Sequence, residues 1–379
     1  MTDIDYMRLA LELAARGEGQ VNPNPLVGAV IVRDGIVIGQ GYHGFFGGPH
    51  AERAALASLT VPATGATLYV TLEPCCHYGK TPPCTDAIIT SGIRRVVIGA
   101  MDPNPLVAGK GMEILKSRKI QVIQGVLETE CIRQNQVFFH YIRTRRPYVV
   151  LKYAMTLDGK TATYTRRSKW ITGDEARAHV HRTRNRLSAI MTGVGTILAD
   201  NPHLTCRIPE GRDPVRIICD THLRTPLTSH VVRDPARSRT ILATCCHDPV
   251  KRRPYEEAGC QLLTLPEKDG HTDLNILMDR LGEMKIDSIL LEGGSTLNWS
   301  AFSQGIVNRV QAYIAPKIFG GQNALSPVAG TGVAIPDMAF MLGTPEITVL
   351  GSDILLENEI LPHSASFPDK EDTACLQES

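Results

Sequence analysis

The sequence predicts an α/β protein of two domains, and three observations carry that expectation. At 379 residues the chain is long enough for two cores. Strand-like and helix-like stretches alternate through residues 1–145 and alternate again over 146–362. Between them lies Arg143-Thr144-Arg145-Arg146-Pro147, a basic run that reads as a solvated linker with no other role. Residues 363–379 are polar and charged, have little to pack, and are expected to be disordered.

The elements follow in order. MTDIDYMRLALELAARG is an acidic-capped amphipathic helix rather than an export signal. VGAVIV and IVIGQGY flank Arg33-Asp34-Gly35 and predict a hairpin. Gly47-Gly48-Pro49-His50 leads into a helix over AERAALASL, and ATLYVTLEP is a strand that stops at Pro74. TDAIITSG is a helix and RRVVIGAM a strand; GMEILKSR and QVIQGV repeat that pair, and ETECIRQNQVFFHYIRT closes the domain as one helix. A mixed sheet with helices on both faces results. In the second half, PYVVLKYAMTLDGK, LSAIMTGVG, VRIICD, RTILAT, IDSILLEGG and VQAYIAP read as strands. Helices fall at DEARAHVHRTRNR, LNILMDRLGEM and STLNWSAFSQG, and EITVLGSDILLENEI predicts a terminal hairpin near a sheet edge.

Bulk properties exclude several classes. Hydrophobic residues at 43% and charged residues at 21% are ordinary for a soluble globular protein. No apolar run approaches the roughly 20 residues that span a bilayer, and a net charge of +1 leaves no nucleic-acid footprint. Ten cysteines without an export signal point to a reducing cytoplasm.

The chemistry is concentrated in Pro49-His50-Ala51-Glu52, Glu73-Pro74-Cys75-Cys76 and Pro83-Cys84. A His-x-Glu followed by Pro-Cys-x-x-Cys is the signature of zinc deaminases, in which the glutamate moves protons and does not bind metal. His50, Cys75 and Cys84 are the predicted ligands of one zinc ion per chain, and Glu52 is the predicted proton carrier. Eight residues separate Cys75 from Cys84, where the general signature has two. Cys76 remains an alternative to Cys75. His50 and Glu52 are two apart, so they converge only at the mouth of a helix. There the dipole favours a neutral imidazole, and at Cys84, before another helix, a thiolate. Cys131, Cys206, Cys219, Cys245, Cys246, Cys260 and Cys375 lack partner spacing; most are expected to be small core residues, and Cys245-Cys246-His247 to end a strand.

Together these residues resemble a bifunctional riboflavin-biosynthesis family, in which a pyrimidine deaminase is fused to a pyrimidine-phosphoribose reductase. The first half matches it in VNPNPLVGAVIV, GPHAERAAL, TLEPCCHYGKTPPC and GAMDPNPLVAGKG. The second half matches in KYAMTLDGK, SKWITG, GVGTILADNPHLTCR, DTHLRTP and LLEGGSTLNWS. The long loop between the two cysteines is what this family shows. The resemblance implies a cytidine-deaminase-like three-layer α/β/α domain over 1–145 and a dihydrofolate-reductase-like α/β domain over 146–362. No GxGxxG follows the first strand of the second half.

It also implies chemistry. The substrate is a diaminopyrimidinone carrying a 5-phosphoribosylamino group; deamination at pyrimidine carbon 2 precedes NADPH-dependent reduction of the ribosyl group to ribityl. Asn24 reads as a base-edge hydrogen-bonding group or as a plain Asn-Pro turn. His77 and Lys80 lie in the long loop, where a cation meets a phosphate or solvent. Asp102 and Asn104 contact ribose phosphate or ring, or only form a turn. The family places Ala154, Trp170, Thr196, Asp200 and Thr221 beside NADPH. It places Lys152, Ser168, Arg184, Leu204, Arg207 and Glu292 around the substrate. Gly293-Gly294-Ser295-Thr296 opens a helix after a strand, a pyrophosphate seat or a routine turn. Arg184 and Arg207 are candidates to clamp the phosphate, Glu292 to bind a pyrimidine N–H or sugar hydroxyl, and Lys152 and Asp200 to manage protons or orient groups. Thr221, His222 and Arg224 are candidates for the cofactor's 2′-phosphate. One segment departs from the family: Tyr164-Thr165-Arg166-Arg167 stands where a glycine is usual before the serine, which puts the placing of Ser168 in question. The partners implied are small molecules and a second copy of the chain, a dimer or larger through the reductase domain, with no nucleic acid or membrane.

Overall fold

The computed structural model describes residues 1–77, 82–105, 107–234 and 238–362; Lys80 and the tail 363–379 lie outside them. The first half runs α1 (Asp3–Ala15), β1 (Gly28–Arg33), β2 (Ile36–Tyr42), α2 (Ala51–Ala57), β3 (Thr67–Leu72), α3 (Cys84–Thr90), β4 (Arg95–Ala100), α4 (Lys110–Ser117), β5 (Gln121–Gln124), α5 (Glu128–Gln134) and α6 (Gln136–Thr144). Thr2 and Asp5 close a capping box that starts α1. The sheet has the order β2-β1-β3-β4-β5, antiparallel as far as β3 and parallel from β3 to β5.

Strand alternation divides this domain into three layers. Ala29, Ile31, Leu68, Val70, Val96 and Ile98 point to one face and pack with Ala51, Ala55, Ile88 and Leu115 of α2, α3 and α4. Val30, Val32, Tyr69 and Val97 point to the other and meet Tyr6, Met7, Ala10 and Phe139 of α1 and α6. The expected single closing helix is broken at Asn135, which separates α5 from α6. Its buried side chain instead accepts the Leu26 N–H and donates to the Leu26 carbonyl, each at 2.8 Å. A side-chain bond to a distant segment outweighs helix continuity there.

The second half runs β6 (Tyr148–Thr156), α7 (Asp174–Arg186), β7 (Ala189–Gly193), α8 (Val194–Asp200), β8 (Val215–Cys219), α9 (His230–Arg233), β9 (Thr240–Thr244), α10 (Pro249–Glu257), β10 (Gln261–Thr264), β11 (Glu267–Lys268), β12 (His271–Thr272), α11 (Leu274–Glu283), β13 (Ser288–Leu291), α12 (Ser295–Ser303), β14 (Arg309–Ala315), β15 (Glu346–Leu350) and β16 (Asp353–Glu359). The large sheet has the order β10-β9-β8-β7-β13-β6-β14-β16-β15. It is parallel from β10 through β14, and the terminal hairpin adds two antiparallel strands with β15 at the edge, as the sequence predicts. Val149, Leu151, Met191, Ile217, Ile241 and Leu291 bury one face under α11 and α12. Sequence reasoning passed over α10 although Asp248-Pro249 is a cap followed by a first-turn proline; Pro254 inside the helix masks the periodicity.

The basic run is more than a solvated linker. Arg146 forks onto the Asp279 carboxylate at 2.6 and 3.0 Å and donates to Asn275 Oδ1 at 3.0 Å. The Arg145 carbonyl packs so closely on α11 that a Cβ at Gly282 would lie 1.8 Å from it, and Tyr141 donates to the Gly282 carbonyl at 3.0 Å. The close approach at Gly282 and the Tyr141 hydrogen bond dock the two halves, and the Arg146 fork fixes the start of the second half on α11.

Candidate active sites

The first site gathers at the ends of β2, β3 and β4. His50 is the residue before α2 and Glu52 lies in that helix's first turn, so the helix mouth brings them together as required. Cys75 follows β3 and Cys84 is the first residue of α3. His50 Nδ1 lies 3.5 Å from Cys75 Sγ and 3.4 Å from Cys84 Sγ, and the Cys84 N–H donates to Cys75 Sγ at 3.4 Å. Among the described residues, these three are the group of histidine, cysteine and acidic side chains with metal-ligand spacing, all ligand atoms within 4.8 Å of one another. Tetrahedral zinc with its usual bond lengths sets N and S ligands about 3.5 Å apart, so the donor set fits that ion. Cys76 is outside the group.

Charge is strongly redistributed here. Hydrogen bonding from Cys84, working against burial, holds Cys75 as a thiolate, down to about 4; Cys84, the donor, is pushed up. The Cys75 hydrogen bond, against burial, raises His50. Cation binding by this set therefore releases protons. Glu52 is 3% exposed, and burial, then the Cys75 charge, push it up to about 7, where a carboxyl both takes and gives protons at neutral pH.

Two residues that sequence reasoning missed shape this site. His43, 3% exposed and held neutral by burial, donates from Nδ1 to the Pro49 carbonyl at 2.9 Å, so Nε2 accepts the Asn24 amide N–H at 3.1 Å. The Asn24 side-chain nitrogen is thereby committed to His43. Glu73, 3% exposed, accepts the backbone N–H groups of Gly109 at 2.9 Å, Met112 at 3.1 Å and Asp102 at 3.4 Å. It joins the Cys75 strand end to the start of α4 and to Asp102. A Cβ at Gly111 would meet the Pro74 carbonyl at 2.3 Å, so glycine permits that approach. Both were legible only as a lone His and a Leu-Glu-Pro strand end. Asp102 accepts the Asn104 N–H at 2.8 Å, and burial raises it to about 6. His77 is exposed and acts electrostatically on Asp102.

The second site lies at the carboxyl ends of parallel strands, where open α/β sheets hold ligands. Lys152 and Ala154 are on β6, Thr196 and Asp200 on α8 after β7, Thr221 after β8, and Glu292 after β13. Gly294 caps α12, which Ser295 and Thr296 begin; a Cβ on Gly294 would lie 3.9 Å from Thr196 Oγ1, and one on Gly193 3.8 Å from Leu297. The two predicted cofactor stretches therefore face each other. Trp170 is exposed and stacks with Arg177, 4.6 Å from its ring centre; Asp200 is exposed 4.0 Å from Lys169. His222 and Arg224 are exposed beyond Thr221, while buried Asp220 holds their loop through Thr225 at 2.7 and 2.8 Å.

The polar centre of this site is an ion network. Arg184 forks onto Glu292 at 2.7 and 3.0 Å and donates to the Thr205 carbonyl at 2.9 Å; Lys152 Nζ lies 3.5 Å from Glu292. Burial alone would raise Glu292, but Arg184 and then Lys152 take it down to about 2. The Arg184 fork is occupied by Glu292, whereas Arg207 is exposed. Leu204, buried at φ +53°, turns the chain between Asp200 and Arg207. Arg166 adopts φ +69°, the backbone a glycine takes readily, and its turn is closed by Arg166 N–H to the Thr163 carbonyl at 2.9 Å and Thr163 N–H to the Arg167 carbonyl at 3.0 Å. These bonds close the turn that precedes Ser168.

Both halves of the chain match known proteins. Residues 1–100 match the cytidine and deoxycytidylate deaminase zinc-binding region, and residues 147–356 match the RibD C-terminal domain. The riboflavin biosynthesis protein RibD of Actinobacillus pleuropneumoniae is 51% identical over 95% of this chain and 96% of its own length. That of Escherichia coli is 42% identical over 84% of this chain and 89% of its own. A Thermotoga maritima diaminohydroxyphosphoribosylaminopyrimidine deaminase/5-amino-6-(5-phosphoribosylamino)uracil reductase superposes with a TM-score of 0.83 at 41% identity, covering 95% of this chain and 99% of that one. The chain belongs to the RibD family, bifunctional enzymes of riboflavin biosynthesis that join a zinc-binding deaminase to a reductase of the NADPH-binding type.

Proposed function

We propose that this chain deaminates 2,5-diamino-6-(5-phosphoribosylamino)pyrimidin-4-one to 5-amino-6-(5-phosphoribosylamino)uracil and then reduces the ribosyl group of that product to ribityl. The convergence of His50, Cys75 and Cys84 around buried Glu52 is the observation that carries the first step. The 41%-identical Thermotoga protein named for both activities supports the substrate.

Zinc held by His50, Cys75 and Cys84 supplies a Lewis acid and eases ionisation of water. Glu52 takes the proton of the attacking water and delivers one to the amine nitrogen leaving carbon 2, which departs as ammonia. Asn24 accepts from a substrate N–H through the oxygen that His43 leaves free. Asp102 and Asn104 approach the ribose phosphate, with His77 and Lys80 as the cations of the adjoining loop.

NADPH supplies the hydride of the second step. Gly293 to Thr296 and Thr196, at facing helix starts, would hold its phosphates, with Ala154, Trp170, Asp200 and Thr221 beside it and His222 and Arg224 as candidates for its 2′-phosphate. Arg184 orients Glu292, whose carboxylate accepts from a sugar hydroxyl or pyrimidine N–H. Lys152 stands beside Glu292 as the proton donor nearest the opened sugar. Arg207 meets the substrate phosphate, with Ser168 and Leu204 completing the wall.

The chain acts as a dimer or larger assembly in the cytoplasm on this reading. Edge strand β15, with Ile347 and Val349 65% and 71% exposed, supports pairing through the reductase domain. Free cysteines throughout the described residues suit a reducing compartment. The test of the function supplies the diaminopyrimidinone with and without NADPH. Accumulation of the uracil product without NADPH, and of the ribityl product with it, is expected. Recovery of unchanged substrate from zinc-loaded protein would overturn the assignment.

A further inference from the structure

The loop that carries Asn24 is held from both domains. On its own side, His43 fixes the Asn24 amide and Asn135 fixes Leu26. From the other side, Asn22 Nδ2 donates to the Asp287 carboxylate at 2.9 and 3.2 Å. Asp287 precedes β13 and is 1% exposed. Its carboxylate also accepts the Ser188 hydroxyl at 2.6 Å and the Ser288 hydroxyl at 2.7 Å, and its carbonyl accepts the Tyr148 N–H at 2.7 Å. Asp287 is thus a rigid acceptor built by the reductase domain and aimed at the deaminase loop. A cavity of about 40 Å³ lined by Asn22, Asn24, Arg186 and Asp287 lies beside the bond. This polar contact stands beside an apolar one, in which Val137 of α6 packs on Tyr148, Val150, Leu187 and Leu290 of the reductase domain.

We propose that the reductase domain sets the position of the deaminase substrate loop through the Asn22–Asp287 bond, which makes both side chains positioning residues of the deamination. The inference rests on the reading of Asn24 as a substrate contact. Pro23 alone separates Asn22 from Asn24, and its ring fixes φ, so displacement at Asn22 is passed to Asn24 with little slack. Glu52 and the three predicted zinc ligands lie on other segments. Loosening the bond therefore weakens substrate binding more than proton transfer.

The test uses full-length, zinc-loaded protein and measures deaminase KM and kcat, reduction of supplied uracil intermediate, and Tm. Asn22→Asp sets two carboxylates against each other and should raise deaminase KM roughly tenfold with kcat changed less than about threefold. Pairing it with Asp287→Asn restores an amide-to-carboxylate bond in the opposite sense and should return KM to within about threefold of the parent. Asn22→Ala, which adds no charge, should raise KM several-fold while reduction of the supplied intermediate is unchanged. Unchanged KM in both Asn22 variants overturns the proposal. So does a joint fall of both activities that the exchanged pair fails to recover. Asn24→Ala separates the two levels: a normal KM there removes the substrate reading itself, whereas a raised KM with silent Asn22 variants removes only the link between domains.

Discussion

The two sites of this chain are built on opposite plans. In the deaminase half, a histidine and two thiols come within 4.8 Å of one another, and a buried carboxyl sits one helical step away. In the reductase half, the polar centre is Lys152, Arg184 and Glu292, spread over 140 residues of sequence and brought together by the pairing of β6 with β13 and the packing of α7. The first arrangement is dictated by the coordination geometry of one ion, so short motifs encode it. The second, on the proposed reading, serves a cofactor and a sugar, and it is a largely buried network of two cations and one carboxylate. A compact metal centre is written locally, whereas a ligand-bridging site is written in topology.

That contrast can be broken most decisively at the metal set. Cys84→Ala should abolish zinc retention, measured by elemental analysis, and ammonia release with it. Reduction of supplied uracil intermediate should persist, because no residue of the ion network is shared. Loss of both activities would show that the halves are not separable.

At the reductase, Glu292→Gln leaves Arg184 and Lys152 without their counter-charge. Removing one partner of a buried pair costs about 3–5 kcal/mol, and the Glu292 side chain is 14% exposed. A lower Tm and a loss of reduction are expected, with deamination retained below the melting range. The same residue sets an acid limit. Its folded pKa of about 2 lies below the ordinary 4.5, so its contribution is full above about 4.5 and is lost as pH falls toward 2. That term is on the order of 3 kcal/mol. Urea titrations from pH 6 to 2 should show a shallower acid loss in Glu292→Gln than in the parent; parallel curves contradict the ion network.

The smallest effect belongs to the Arg166 turn. A non-glycine residue at left-handed φ costs about 1–2 kcal/mol, part of which glycine returns as unfolded-state entropy. Arg166→Gly should change stability by no more than about 1 kcal/mol and leave reduction within twofold. A large gain in reductase activity would mean that the arginine does impair the Ser168 loop.

How much of this was readable beforehand follows the same contrast. Continuous apolar runs exposed β1, β3 and β4 because both faces of that sheet are covered, and HAE with the two Pro-Cys pairs exposed the metal set because ligand spacing is local. The break at Asn135 was invisible, since its cause is a bond to Leu26, 109 residues away. His43, Glu73 and Asp287 escaped for the same reason: each is a common residue until folding shows which amide it holds. The Arg184 fork on Glu292 escaped too, because pairing across 108 residues leaves no pattern in the sequence.

The central claim is that one chain holds two chemically independent sites used in a fixed order. Glu52→Gln tests it most directly, with each substrate supplied separately and ammonia release and NADPH absorbance followed together. Given the diaminopyrimidinone, the variant should release ammonia roughly 100- to 10,000-fold more slowly than the parent and consume NADPH no faster than that. Given the uracil intermediate, it should consume NADPH at the parental rate. Parental ammonia release would remove Glu52 from the chemistry, and NADPH consumption without prior ammonia would contradict the order.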